Sequence, residues 1–311
     1  MEFPGDSRFH RYSRYLKNKY GTKVYRIGVD AGFSCPNRGK DRTTGGCIYC
    51  EARGAKAPYL LECQDLHRQI EKSIAFMKQR YSATKFLLYF QAFSSTYAQV
   101  DELKRVYDAA LCAADFTGLV VSTRPDCVDE EKADLLASYR RKDYSVWVEL
   151  GLQSMHNSTL RTINRGHSLE DFIKAYRMLT KRGINVAVHL IFGLPGEGEK
   201  QILETVRFVS SLAPDGVKIH NLHIPYNTPI FKMYERGEIQ PLQPEEHLDL
   251  VIKALELLPP ETVILRVTCD TPDRLLAAPR NFPDKNRFYQ MLDAALEAQN
   301  TYQGKYFEKQ E

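Results

Sequence analysis

Between residues 23 and 268 the chain alternates short runs that are apolar throughout with longer stretches apolar on one side only. Residues 23–30, 85–93, 118–123, 144–152, 184–192, 216–222 and 262–267 form the runs, and each predicts a strand buried on both faces. In the stretches between them, apolar residues return every three or four positions. Examples are Leu66, Ile70, Ile74 and Met77; Leu103, Val106 and Ala110; and Phe172, Ala175, Tyr176 and Leu179. Ile202, Val206, Val209 and Leu212 follow the same rule, as do Leu248, Val251, Ile252, Leu255 and Leu258. That spacing predicts helices, with others over residues 130–141 and 287–299.

Strands without a polar face, each followed by an amphipathic helix, predict an α/β fold on a parallel sheet. Seven such units are enough for a full or partial barrel or an open sheet. In a barrel the chemistry collects at the C-terminal ends of the strands. The polar residues expected there are Asp30, Gln91, residues 94–96 and 122–126, Glu149 with Gln153 and Ser154, His189, Lys218, His220 and His223.

Composition narrows the class. Of 311 residues, 43% are hydrophobic and 26% charged, which excludes a mostly disordered, collagen-like or disulfide-scaffold chain. No run approaches the roughly 18 apolar residues of a membrane span. The first residues lack a basic segment followed by an apolar one, so no secretory leader is read and a cytoplasmic location is expected. The net charge of +4 is unevenly spread. Residues 1–60 hold 12 Lys/Arg against 5 Asp/Glu, with Phe9, Tyr12, Tyr15, Tyr20 and Tyr25 among them. Such a segment could meet a nucleic acid, but a solvated amphipathic helix explains the charge better.

The seven cysteines carry the strongest chemical signal. An odd number in a reducing compartment argues against a disulfide framework. Cys35, Cys47 and Cys50 cluster around Gly45 and Gly46, with one Cys-x-x-Cys pair and no second pair. Zinc would need a fourth ligand, for which Cys63 and His67 are near in sequence. Three cysteines on a glycine-rich loop fit better a [4Fe–4S] cluster with one iron left open for a substrate or cosubstrate. Cys63, Cys112, Cys127 and Cys269 are read as small buried hydrophobes.

A first strand followed by a three-cysteine loop and a series of βα units resembles the radical SAM superfamily. The long gap before Gly46-Cys47-Ile48-Tyr49-Cys50 resembles its Elp3-like branch. Tyr25-Arg26-Ile27-Gly28-Val29-Asp30, Gln91-Ala92-Phe93-Ser94-Ser95-Thr96, Ser122-Thr123-Arg124-Pro125-Asp126 and Glu149-Leu150-Gly151-Leu152-Gln153-Ser154 resemble the YtqA/YhcC family.

This resemblance implies a partial (β/α)6-type TIM barrel of the radical SAM kind. A core barrel over residues 23–268 would lie between a basic N-terminal extension (1–22) and a C-terminal extension (269–311). It implies Cys35, Cys47 and Cys50 as cluster ligands and S-adenosylmethionine on the open iron. Gln91 or Ser94 would hold the cofactor's amino group, where many members have Gly-Gly-Glu. Ser122, Glu149 and Gln153 would meet its ribose or methionine part, Arg165 its carboxylate, and Ile191 and Gly193 its adenine. The implied substrate is the tRNA wobble uridine, whose 5-carboxymethylaminomethyl group would become aminomethyl, with flavodoxin or ferredoxin as electron donor. The basic, aromatic N-terminus and Lys218, His220 and His223 are expected to face that RNA. Two other readings stay open: a radical enzyme acting on a small metabolite or a protein, and a zinc-stabilised nucleic-acid-binding protein.

Overall fold

A computed structural model describes residues 7–39, 42–51 and 65–308. The apolar runs pair in sequence order into one parallel sheet. Its strands are β1 (Val24–Val29), β2 (Lys85–Phe90), β3 (Gly118–Thr123), β4 (Ser145–Gln153), β5 (Asn185–Phe192), β6 (Gly216–Asn221) and, after the short β7 (Ile224–Pro225), β8 (Val263–Arg266). β7 leaves the sheet to pair antiparallel with β9 (Leu276–Ala278). The sheet curls into a half-barrel, and a seventh strand continues the six-unit core.

The helices are α1 (Tyr12–Tyr20), α2 (Leu66–Tyr81), α3 (Val100–Leu111), α4 (Glu130–Ser138), α5 (Asn157–Thr162), α6 (Leu169–Lys181), α7 (Glu199–Ser211), α8 (Pro229–Glu235), α9 (Pro244–Leu257) and α10 (Lys285–Ala298). Their starts are written locally. Asp65, Asp129, Ser168, Thr228 and Asp284 cap α2, α4, α6, α8 and α10 by accepting from backbone N–H groups. Among the described residues no helix is long and apolar enough to cross a membrane.

Strand alternation divides the core in two. Leu88, Phe90, Leu119, Val121, Val146 and Val148 point outward into the layer of helices. Leu87, Val120, Trp147, Ala187 and Val263 point inward and form the barrel floor with Leu16 of α1. One layer above this floor lie Arg26, Tyr89, Ser122, Glu149, His189 and Lys218. The expectation that Glu149, His189 and Lys218 stand at strand ends is therefore corrected. They are interior residues of β4, β5 and β6, turned inward by the two-residue period.

The N-terminal segment is also placed differently from its expected role. Tyr12 and Tyr15 meet the Trp147 ring edge-on at 6.2 and 5.8 Å. Tyr20 donates to Thr117 O at 3.0 Å and meets Ser145 Oγ at 2.5 Å, and Phe9 is buried. These aromatics pack the floor instead of offering open faces to RNA bases. Aromatic residues between charges look alike in either role until a partner surface is known. α1 also spans the space between the sheet's two edges, where Ile264 N donates to His10 O at 2.8 Å.

Candidate cluster and cofactor site

The cysteine loop leaves β1 and is held against the C-terminal rim by backbone bonds. Ile48 N donates to Ile163 O after α5, and Ile230 N of α8 donates to Ile48 O, both at 3.1 Å. Gly45 and Gly46 take left-handed φ of 73° and 103°. A Cβ on Gly45 would lie 2.5 Å from the Asn37 carbonyl oxygen, so this turn needs glycine. Ile48 and Tyr49 pack into an apolar cluster with Ile163, Ile191, Leu194 and Leu222.

Each of the three cysteines has an arginine beside it. The Arg124 guanidinium lies 3.6 Å from Cys35 Sγ and is oriented by two bonds to Asp126, at 2.8 and 2.7 Å. Arg165 lies 3.7 Å from Cys47 Sγ, which the Asn37 amide also approaches at 3.9 Å. Arg38 donates to the carbonyls of Cys50 and Glu51 at 2.9 and 2.8 Å. Burial pushes the Cys50 thiol up, and Arg38 pulls it back. Cationic N–H donors beside the three sulfurs suit a negatively charged group held between them. The donor set therefore fits a cluster with three thiolate ligands. Among the described residues no three His, Cys, Asp or Glu side chains converge on a single metal ion. Cys63 lies outside the described residues, and His67 lies in the first turn of α2. Of the cysteines read as buried, Cys127 is, whereas Cys112 is exposed on the C-terminal end of α3.

Glu149 organises the layer beneath the rim. It accepts from Arg26, from Tyr89 Oη at 2.6 Å, from Lys218 Nζ at 2.7 Å and from His189 Nε2 at 2.8 Å. Burial pushes its carboxyl up, but Lys218, Arg26 and His189 outweigh that and hold it well below the usual carboxylate range. Lys218 is itself lowered to about 8, by burial first and then by Arg266 and Arg26. His189 is lowered to about 4, chiefly by burial and Lys218.

The other expected cofactor residues separate into engaged and free groups. Ser94 is fully buried, 2.9 Å from Thr123 Oγ1, and accepts from Arg124 N. Ser122 bonds Tyr89 at 3.0 Å and Glu149 at 3.4 Å. Arg165 also donates to Gly151 O at 2.9 Å and to His167 Nε2 at 3.0 Å. Gln91, by contrast, borders a cavity beside Gly28. Gln153 ends β4 with a left-handed φ of 75°. Neither amide side chain has a hydrogen-bond partner among the described residues. Ile191 faces the apolar rim cluster, and Gly193 follows with φ 87°, closed against Leu242. His220 and His223 are not paired: His223 Nδ1 meets Thr271 Oγ1 at 2.7 Å, while His220 Nε2 is buried without a partner. Arg124 lies within the polar stretch 122–126 expected at the strand ends, but it was given no role, and Asn37 and Arg38 were not expected in the site. Asn37 and Arg38 lie inside the cysteine motif, and that position was the available signal.

The profile of the radical SAM superfamily matches residues 40–209, and that of the Radical_SAM C-terminal domain matches residues 214–298. The chain belongs to the radical SAM superfamily, whose members work with a [4Fe–4S] cluster and S-adenosylmethionine. Within it the chain belongs to the YtqA/YhcC family. It is 35% identical to YtqA of Bacillus subtilis (strain 168) over 306 residues, 98% of this chain and 95% of that protein. It is 33% identical over 157 residues to a tRNA uridine(34) acetyltransferase of Methanocaldococcus infernus, covering 50% of this chain and 29% of that one. The solved structure of N-terminally truncated Methanocaldococcus infernus Elp3 has the same fold. Its TM-score is 0.71 at 22% identity, over 90% of this chain and 64% of that one.

Proposed function

We propose that this radical SAM enzyme acts on the C5 side chain of the tRNA wobble uridine, converting 5-carboxymethylaminomethyl-(2-thio)uridine to the aminomethyl form: the N–CH2 unit is oxidised by two electrons with S-adenosylmethionine as the oxidant, and water then splits the N–C bond to release the two carbons as glyoxylate. The observation that carries the substrate class is the 33% identity to a tRNA uridine(34) acetyltransferase. The cation-rich barrel interior supports a substrate with an acidic side chain.

Cys35, Cys47 and Cys50 would hold the cluster, which would supply one-electron reductive chemistry to S-adenosylmethionine bound beside it. The chain's own groups bind, orient and shield. Arg124, Arg165 and Arg38 offset the negative charge at the thiolates. Gln91 and Gln153 have free amides to hold the cofactor's polar ends, and Ile191 with Gly193 provides an apolar wall for its base. Ser94 fixes the strand end that carries Arg124, and Ser122 and Glu149 shape the chamber below. The floor of Trp147, Leu87 and Tyr15 excludes water from beneath. A flavodoxin or ferredoxin would deliver the electron.

The test is anaerobic reconstitution with iron and sulfide, reduction, and assay of 5′-deoxyadenosine. A variant with Cys35, Cys47 and Cys50 all changed to Ala is the control. Wild type should form 5′-deoxyadenosine and the variant none. tRNA carrying the carboxymethylaminomethyl group should raise the yield and lose mass. Product that is indifferent to this tRNA would overturn the substrate assignment. Stoichiometric zinc without iron uptake would overturn the chemistry.

A further inference from the structure

The two edges of the sheet enclose a cavity of about 760 Å³. Its walls come from α1, β1, β8 and α10, and Tyr89, Gln91 and Lys218 reach it from within the barrel. Gly28 and Gln91 place its upper end next to the expected cofactor residues.

The charges on these walls are one-sided. Arg11, Arg26, Lys218, Arg266 and Lys285 line the cavity against one acid, Asp293. Arg11 already occupies Asp293, and Glu149 already serves Arg26 and Lys218. Arg266 and Lys285 form no salt bridge among the described residues, and the Asp270 carboxylate nearby offsets only part of the charge that Arg266 and Arg26 impose on Lys285. Lys285 also opens α10, so the positive end of the helix dipole adds to its charge. Arg26 contributes a separate observation. Its guanidinium lies 4.5 and 4.9 Å from the ring centres of Tyr12 and Tyr89, and its Nε and Nη2 are buried outside hydrogen-bond geometry of any acceptor, beside the equally unpaired Tyr12 hydroxyl. A guanidinium edge lacking an acceptor is completed by a carboxylate through two parallel bonds.

We propose that this cavity receives the carboxylate of the substrate's side chain, gripped by Arg266 and Lys285 with Arg26 behind them. The identity of the molecule that carries the carboxylate rests on the wobble-uridine reading. The cavity's need for an anion does not. The carbon next to the carboxylate would then lie toward Gly28 and Gln91, the end nearest the cofactor. Gly28 has no side chain to block that passage, and a Cβ there would come 3.0 Å from Gln91 Oε1.

Two experiments separate the inference from the function on which it builds. In the first, thermal unfolding of the reconstituted protein is followed with N-methylglycine, methylamine or inorganic phosphate and no RNA. N-methylglycine should raise the midpoint and methylamine should not. Arg266→Gln and Lys285→Gln should each weaken that response roughly tenfold, the equivalent of one lost charge-assisted contact. Asp293→Asn, which frees Arg11, should strengthen it, so the result does not depend on damaging variants alone. A response to phosphate without one to N-methylglycine, or variants that respond like wild type, would overturn the carboxylate pocket. In the second, turnover is measured on a carboxymethylaminomethyl anticodon hairpin. Arg266→Gln should raise KM about tenfold and change kcat little. Equal KM for wild type and Arg266→Gln would overturn the pocket while leaving the tRNA function intact. N-methylglycine binding through Arg266 without turnover of any hairpin would overturn that function and uphold the pocket.

Discussion

Arg165 joins three parts of the site through one planar group: Cys47 Sγ, the Gly151 carbonyl and the His167 ring. Gly151 is glycine because a Cβ there would lie 2.4 Å from the Arg165 guanidinium. Lysine would keep the charge but could not span all three positions. Arg165→Lys should leave the fold intact, as judged by circular dichroism. Formation of 5′-deoxyadenosine should fall by about tenfold or more, the usual cost of losing a group that orients a metal ligand. Unchanged turnover would show that the guanidinium fork is not needed.

At the scale of elements, α1 is the floor plate of the barrel. Leu16 is buried against Leu87, Val120 and Trp147. Leu16→Ala should cost about 3 kcal/mol in chemical denaturation, since the cavity it leaves is walled by strands that cannot collapse. Trp147 is the only tryptophan, so a red shift of its emission would report water entering the floor. An unshifted spectrum with unchanged stability would place Leu16 outside the core.

The order and type of the main strands and helices were legible in the sequence, because period two and period 3.6 are written in Leu, Val and Ile. The expected strand over residues 118–123 coincides with β3, and most other boundaries fall within a few residues. α5, α8, β7 and β9 were not legible: they are two to seven residues long and are set by tertiary contacts. The three cysteines stand out in the sequence through their spacing around Gly45 and Gly46. Their arginine partners do not, because Arg124 and Arg165 arrive from distant elements. The role of the tyrosines in α1 was also hidden, since floor and solvent face share one composition.

At the scale of the whole molecule, the interior holds several histidines as neutral rings. His167, His189, His223 and His247 are lowered to about 4, with burial the leading cause in each. An unfolded histidine takes a proton near 6.5, whereas these do not until near 4. Folding stability should therefore fall as pH drops from about 6.5 to 4. Glu149, held well below the usual range, adds to the loss below its unfolded pKa near 4.5. Urea melts at pH 7 and pH 4.5 should show the difference. His189→Gln should flatten the dependence by on the order of 3 kcal/mol across the full window. An identical slope in wild type and variant would mean that His189 is protonated in the folded state.

The open seam of the half-barrel has a mechanical consequence. No ladder joins β1 to β8 among the described residues. α1 bridges the two edges, and the outer face of the gap is tied by the Arg11–Asp293 pair and the His10 and Gln303 contacts. A closed barrel changes girth only by breaking or shearing strand pairs. This one has a hoop with a clasp, so its circumference can grow by the width of a guest while every rung of the parallel ladder stays made.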